Sequence, residues 1–305
     1  MSLSDSMGKR IYSREIVSSD LDQLALLFAK SLGFSKEYYS KILETVTYLS
    51  TPIGFPKYGY VLLSGDVIVG AILTIFTTIR SGAVRCHVTT WTVDPAYRPY
   101  AALFFSRALK YKDVTYLNIL ANQRSLGFID LQGFSRFSDG QFAAIPLLSK
   151  ASGDRRVKLI SADAVPNQDV DADEQELLLT HKKYGCMSIW CVTQESAHPF
   201  VFQPRSTFPG VQLIYCRGVD EFVRFARPIG LFLARRRYFY VVVNSNGPVP
   251  GLVGKYFPGV LPLYSKGPPP HIGDLAYTQF ALQSRPRMRF GRRWLAAVSS
   301  NLSTG

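Results

Sequence analysis

The residues between Val93 and Phe134 have the types and spacing to hold a phosphate-bearing ligand. Val93-Asp94-Pro95 closes a strand-like run and Tyr97-Arg98 opens a helical one. A strand that turns into a helix offers backbone N–H groups and the positive end of the helix dipole to an anion. Arg98 adds a full charge at that point. A second strand-like run, Val114 to Leu120, follows the helix. Asn122 then starts a short helical stretch, and Gly133-Phe134 closes it. The strand leading into the turn reads Val84-Arg85-Cys86-His87-Val88-Thr89-Thr90-Trp91 and carries no carboxylate. His87 is its one side chain with an ordinary pKa near neutrality.

The elements that position these residues are legible from periodicity. Residues 11–17 suit an opening strand, and Asp20 suits the start of a helix with Leu21, Leu24, Leu27 and Phe28 on one face. A second helix is expected from Lys36 to Tyr48, stopped by Pro52 and Pro56. Gly59–Leu63 and Val67–Ile79 read as a hairpin through Ser64-Gly65-Asp66, followed by a strand over 84–93. After the helix and second strand, residues 134–147 read as a closing hairpin. Ser149 to Arg156 is small and polar and reads as a linker.

Beyond it, strands are expected at 157–160, 186–192, 200–202 and 211–216. A helix covers Glu174–Lys183, and another runs from the Gly218-Val219-Asp220 turn to about Arg235, before a strand over Tyr238–Val243. The strand-helix-strand spacing at 211–243 repeats that at 88–120. Gly251–Pro270 is rich in Gly and Pro and reads as loop, 276–282 as a last strand, and 285–305 as a basic tail.

The order β-α-α-β-β-β-α-β-α-β-β of the first half, with the motifs above, resembles the GCN5-related N-acetyltransferase (GNAT) superfamily. The resemblance covers residues 11–147 by motif and 157–283 by architecture. It implies a mixed α/β fold in two GNAT-like domains, 1–150 and a diverged 151–284, with 285–305 as tail. The family's pyrophosphate loop runs Arg/Gln-x-x-Gly-x-Gly/Ala. Here Arg98 holds its place, Ala101 and Leu103 stand at the glycine positions, and Pro99 removes one N–H.

The resemblance assigns the pantetheine arm to Trp91, Thr92 and Val93 and the phosphates to Arg98, Tyr100, Ala101, Ala102 and Leu103. Asn122 matches the family's Asn-x-x-Ala-x-x-x-Tyr-x-x-x-Gly-Phe helix. Leu103 is expected to crowd the phosphate, and a bulge in the strand ending at Val93 is expected to open the acyl cleft. The tyrosine that would protonate the departing thiolate falls at Ile129, and Ser125 replaces the alanine one turn earlier. His87 and Ser125 are thus the candidate proton-handling groups.

Bulk properties bound the partners. The 305 residues carry a formal net charge of +13 with 47% hydrophobic residues, so both halves can bury a core and the surface attracts anions. Acyl-CoA and acyl carrier protein are both acidic donors that suit this field. Arg235-Arg236-Arg237 and the tail concentrate the charge. Nucleic-acid binding rests on charge alone, without a recognition motif, and is not expected.

The longest apolar runs are too short to span a bilayer, and the N-terminus lacks an apolar signal core. Cys86, Cys186, Cys191 and Cys216 show no paired framework, which suits reduced thiols in the cytoplasm. Neither they nor the four histidines have metal-ligand spacing, so no metal is expected. Two readings follow: an acyltransferase acting on an unidentified amine, or a non-catalytic GNAT-fold module docking a protein or an anionic surface.

Overall fold

The computed structural model describes residues 3–4, 10–79, 81–119, 126–150, 157–205 and 209–278, with Leu3, Ser4 and Leu126 described by backbone alone. Asn122, Ser125, the linker at 151–156 and the tail at 285–305 lie outside the described residues. The chain divides into two compact units. One comprises Met1–Phe137 with Leu261–Pro269, and the other Ser138–Val260 with Pro270–Gly305.

The first unit contains β1 (Leu3–Ser4), β2 (Arg10–Glu15), α1 (Leu21–Leu32), α2 (Lys36–Thr47), β3 (Gly59–Ser64), β4 (Val67–Thr78) and β5 (Val84–Val93). A 3-10 turn (Pro95–Tyr100), α3 (Ala101–Ala108), β6 (Val114–Asn118) and α4 (Leu126–Leu131) follow. α1 follows Asp20 as expected, but Asp20 closes a 3-10 turn (Ser18–Asp20) and does not cap α1 with its side chain; elsewhere local chemistry sets the ends. Ser35 Oγ caps α2 by accepting the Tyr38 N–H at 3.2 Å, and Gly33 ends α1 at φ 83. β2 to β5 pair antiparallel in chain order, while β5 and β6 pair parallel across the α3 crossover.

Ile72, Phe76, Cys86, Val88, Phe104, Phe105, Ile129 and Phe134 form the core on the α3/α4 face. The buried faces of α1 (Leu24, Ala25, Phe28) and α2 (Tyr39, Ile42, Leu43, Val46) take no part in that cluster and cover the other side.

Asp20, a buried carboxylate before α1, accepts from the Arg14 guanidinium at 2.6 and 2.9 Å and from the Val17 N–H at 2.9 Å. The Arg14 bond foremost holds its carboxyl below the ordinary 3.8. Its contribution is therefore present above the unfolded value and lost as pH falls through the folded one. With Arg14 partly exposed, Asp20→Asn is expected to cost about 1 kcal/mol at pH 7. That gap between variant and parent should close in acid, measured by urea midpoints from pH 7 to pH 2.

The second unit contains β7 (Ser135–Ala144, entering from the first), β8 (Lys158–Ser161), α5 (Ala172–Lys183), β9 (Met187–Val192), β10 (Ala197–Pro204) and β11 (Gly210–Tyr215). α6 (Val219–Arg224), α7 (Ala226–Ala234), β12 (Tyr240–Ser245) and β13 (Gly254–Lys266) complete it. Its sheet runs β13-β7-β12-β11-β10-β9-β8, with β11 and β12 parallel. The helix expected from 219 to about 235 is broken at Phe225 into α6 and α7.

Three expectations for the chain's strands are overturned. Residues 134–147 are not a hairpin: β7 is one continuous strand followed by a 3-10 turn at Pro146–Leu148. Gly140 there is no turn residue but a point of close approach, where a Cβ would sit 2.4 Å from the Phe257 carbonyl. The presumed loop at 251–270 is largely β13. Pro258 and Pro262 give up ladder donors, and the path is irregular at Gly259 (φ 69) and Leu261 (φ 52). There the chain passes from the second unit to the first, where Tyr264–Lys266 pairs with Asn118–Tyr116 of β6. Third, the strand expected over 276–282 does not begin at its described residues: Ala276–Thr278 form no strand, and 279–282 lie outside the described residues. Asp274 makes an isolated bridge to Tyr215, and the chain then turns through Tyr277 (φ 63), whose N–H donates to His181 Nε2 at 3.0 Å.

Candidate functional site

The site grows out of an irregularity in β5. Between β4 and β5 the register runs Ile72↔Trp91, then Thr74↔Val88, so β5 holds one extra residue in that interval. The parallel ladder between β5 and β6 starts at Val84↔Val114 and ends at His87↔Leu117. Past the bulge, β5 continues to Val93 without a β6 partner among the described residues. Val84–His87 pair parallel with Val114–Leu117, whereas Val88–Val93, the stretch expected to pair with β6 before diverging, makes no such ladder among the described residues. The ladder occupies 84–87, with the gap beginning at Val88.

The extra residue also reverses the alternation of side chains. His87 projects away from Cys86 and Val88, hence toward the α1 side, and is 3% exposed between Ile75 and Leu117 of the neighbouring strands. Trp91, four residues on, packs against the α3/α4 core. It stacks on Phe128 of α4 at 5.2 Å and meets Phe105 of α3 edge-on at 5.3 Å, while Phe105 and Phe128 meet at 5.1 Å. These three rings line the α3/α4 side of the parted strands. Sequence reasoning missed Phe105 and Phe128, whose signal was only an aromatic on the inner face of each helix.

After Val93 the chain forms the 3-10 turn. Asp94 Oδ1 accepts the Ala96 N–H at 3.0 Å, the Asp94 carbonyl accepts the Tyr97 N–H at 2.8 Å, and the Ala101 N–H donates to the Arg98 carbonyl. Pro95 and Pro99 have no N–H to give. Arg98 is exposed, Thr92, Val93, Tyr100 and Ala101 are half-buried, and Ala102 is exposed. Leu103, 49% exposed, lines a cleft of about 280 Å³ with Ile11, Leu62, Tyr100, Phe104 and Arg107.

α3 and α4 are tied at their far ends, where Ser106 Oγ donates to Gln132 Oε1 and Lys266 Nζ to the Gln132 carbonyl, both at 2.9 Å. α4 ends as expected at Gly133 (φ 80), with the Phe134 N–H returning to the Ile129 carbonyl at 3.3 Å.

No family model and no curated protein matches the chain. Solved structures do. A Pyrococcus horikoshii protein assigned as an acetyltransferase is 13% identical, with 87% of this chain and 92% of that one covered at a TM-score of 0.53. A GCN5-related N-acetyltransferase from Kribbella flavida is 14% identical, covering 86% and 72% at 0.53. The fold is that of the GCN5-related N-acetyltransferases. An Enterococcus faecalis protein described as an N-acyltransferase aligns over 90% of this chain and 75% of its own at a TM-score of 0.51 and 11% identity.

Ile129 of α4 belongs to the core beneath the parted strands. It is 0% exposed within the core cluster, so the position matched to the family's proton donor is packed solid. Ile129→Tyr is expected to overpack that core and lower stability by about 1–3 kcal/mol, with no gain in acyl transfer. Unfolding midpoints and an amine-acetylation assay on the same preparation read both effects. Among the described residues no cluster of His, Cys, Asp and Glu is placed to hold a metal ion. No helix among them is long and apolar enough to cross a membrane.

Proposed function

We propose that the first unit binds an acyl thioester, as acyl-CoA or acyl carrier protein, and passes the acyl group to an amine. The parted β5/β6 pair supports this most strongly. A pantetheine arm along Trp91, Thr92 and Val93 takes up backbone bonds that a neighbouring strand would otherwise have made. The phosphates lie over the start of α3, where the Ala101 N–H is already given to the Arg98 carbonyl, so the attraction comes from the Arg98 charge and the helix dipole. Tyr100 and Ala101 flank them and Arg98 supplies charge, while Asn122 is assigned by motif alone. With the Leu103 side chain turned into the cleft beside Ile11 and Leu62, Ala102 and Leu103 contribute backbone.

The amine attacks the thioester carbonyl, forming C–N as C–S breaks. His87, on the α1 side, takes the amine proton, and the Ser125 hydroxyl serves the departing thiolate. Most of the rate enhancement then comes from positioning.

We read residues 151–284 as a diverged copy of the half-fold in 1–150, followed by a basic tail at 285–305, although the compact units divide at Ser138 and exchange Leu261–Pro269. β11 supports this. It carries an extra residue between Leu213 and Tyr215 opposite β10, and its parallel ladder with β12 runs only from Gly210↔Tyr240 to Gln212↔Val242. Four buried, unpaired cysteines suit the cytoplasm.

A calorimetric and thermal-shift titration with acetyl-CoA and longer acyl-CoAs tests the donor site, because a ligand bound by the native state raises its melting temperature. Arg98→Ala should weaken binding by about 1–3 kcal/mol. Unchanged affinity would move the donor elsewhere. The lack of a carboxylate on β5 and the buried Ile129 favour a second reading, a GNAT-fold module without turnover. Absence of both acyl-CoA binding and amine acylation would select it.

A further inference from the structure

A second group of reactive side chains lies in the second unit, unconnected with the donor site. The β9–β10 hairpin turns through Thr193-Gln194-Glu195-Ser196. Ser196 Oγ lies 2.8 Å from His198 Nε2, and His198 Nδ1 lies 2.9 Å from Oε1 of Glu221, in the first turn of α6. A carboxylate only accepts, so in the neutral imidazole Nδ1 carries the proton and Nε2 turns its lone pair to the serine hydroxyl. The imidazole is held in place: its side chain is 8% exposed and packs on the Phe225 ring at 4.7 Å. Glu221 is 20% exposed, and its Oε2 is buried with no hydrogen bond among the described residues. That carboxylate is thus placed to stabilise an imidazolium on His198.

The turn does not need the serine hydroxyl. Thr193 holds it, donating its N–H to the Ser196 carbonyl at 2.9 Å and its Oγ1–H to the same oxygen at 3.0 Å. Its Oγ1 also accepts the Ser196 N–H at 3.1 Å. The remaining contact of Ser196 Oγ is Thr193 Oγ1 at 3.3 Å, and Ser196 is half-buried, so its oxygen can meet a reagent.

We propose that Ser196 is a nucleophile, activated by His198 and oriented through Glu221, toward carboxylic esters or thioesters. The Oγ–H proton passes to His198 Nε2 as Oγ bonds to the acyl carbon. The bond to the leaving oxygen or sulfur breaks, and that atom takes the proton from Nε2. Water then repeats the sequence at the acyl-serine, releasing the carboxylic acid and restoring the hydroxyl.

The test is independent of acyl-CoA binding. The full chain is treated with a fluorophosphonate probe and followed by intact mass and peptide mapping, with p-nitrophenyl acetate as a substrate. One adduct per chain at Ser196 is expected. It should be absent in Ser196→Ala, whose melting temperature should match the parent's. It should form at least about tenfold more slowly in Glu221→Gln, the loss expected when a base is no longer oriented. His198→Gln should lose the adduct too, with circular dichroism confirming a native fold. No adduct at Ser196 in the folded parent, or an unchanged labelling rate in folded Glu221→Gln, would overturn the proposal.

Discussion

Arg217→Ala is expected to destabilise the second unit by about 3–5 kcal/mol, the cost of leaving a buried charge without its partner. Glu174, with a side chain 2% exposed, accepts from Arg217 Nε at 2.8 Å and Nη2 at 2.6 Å and from the Tyr215 hydroxyl at 3.1 Å. The fork-to-fork geometry fixes α5 against the end of β11. The Glu174 bond is also what chiefly raises the Arg217 pKa. Urea unfolding followed by hydrogen exchange in α5 and β11 reads the loss. The double substitution Glu174→Leu/Arg217→Met should recover much of it, since a matched apolar pair leaves no orphan charge. A loss below 1 kcal/mol in Arg217→Ala would show that the pair is solvated in solution.

Phe105→Ala should cost the first unit a similar amount, about 3–5 kcal/mol. Phe105 is fully buried and touches Trp91, Phe128 and Phe134, so its removal takes the centre from the aromatic group beneath the parted strands. Phe105→Leu keeps much of the volume and should lose clearly less. If the donor site lies where proposed, acyl-CoA affinity should fall in Phe105→Ala beyond the stability change. Binding measured well below the melting temperature separates the two.

Most elements of the first unit were legible in the sequence because their signals are local. The hairpin at Ser64-Gly65-Asp66, the Gly133 helix end and the strand-helix-strand run into α3 each lie within a few residues of what they control; the Ser35 cap and the Gly33 helix end are as local but were not read. β7 and β13 were not, because their partners are remote. Lys266 of β13 pairs with Tyr116, and Asn244 of β12 with Gln141 of β7. The prolines and glycine of β13 obscure any period of two. The Ser196–His198–Glu221 group was hidden for the same reason: His198 and Glu221 stand twenty-three residues apart in sequence, on a strand and a helix.

Periodicity and turn residues set the run of strands and helices and the strand-to-helix turn at Val93–Arg98, and the resemblance to the GNAT superfamily implied the mixed α/β fold of the chain. The direction in which its reactive side chains face was decided only in three dimensions. His87 and Trp91 are four residues apart, and an unbroken strand would put them on one face. The single extra residue between Val88 and Trp91 sends His87 to the α1 side and Trp91 to the α3 side. The resemblance implied a bulge in this strand, but its place between Val88 and Trp91 is set by how β5 registers on β4, a balance of cross-strand packing along both strands. Ile129 shows the same limit. Its place in the helix could be counted from Gly133-Phe134, but its burial among Phe105, Val88 and Tyr116 depends on four elements meeting at one point.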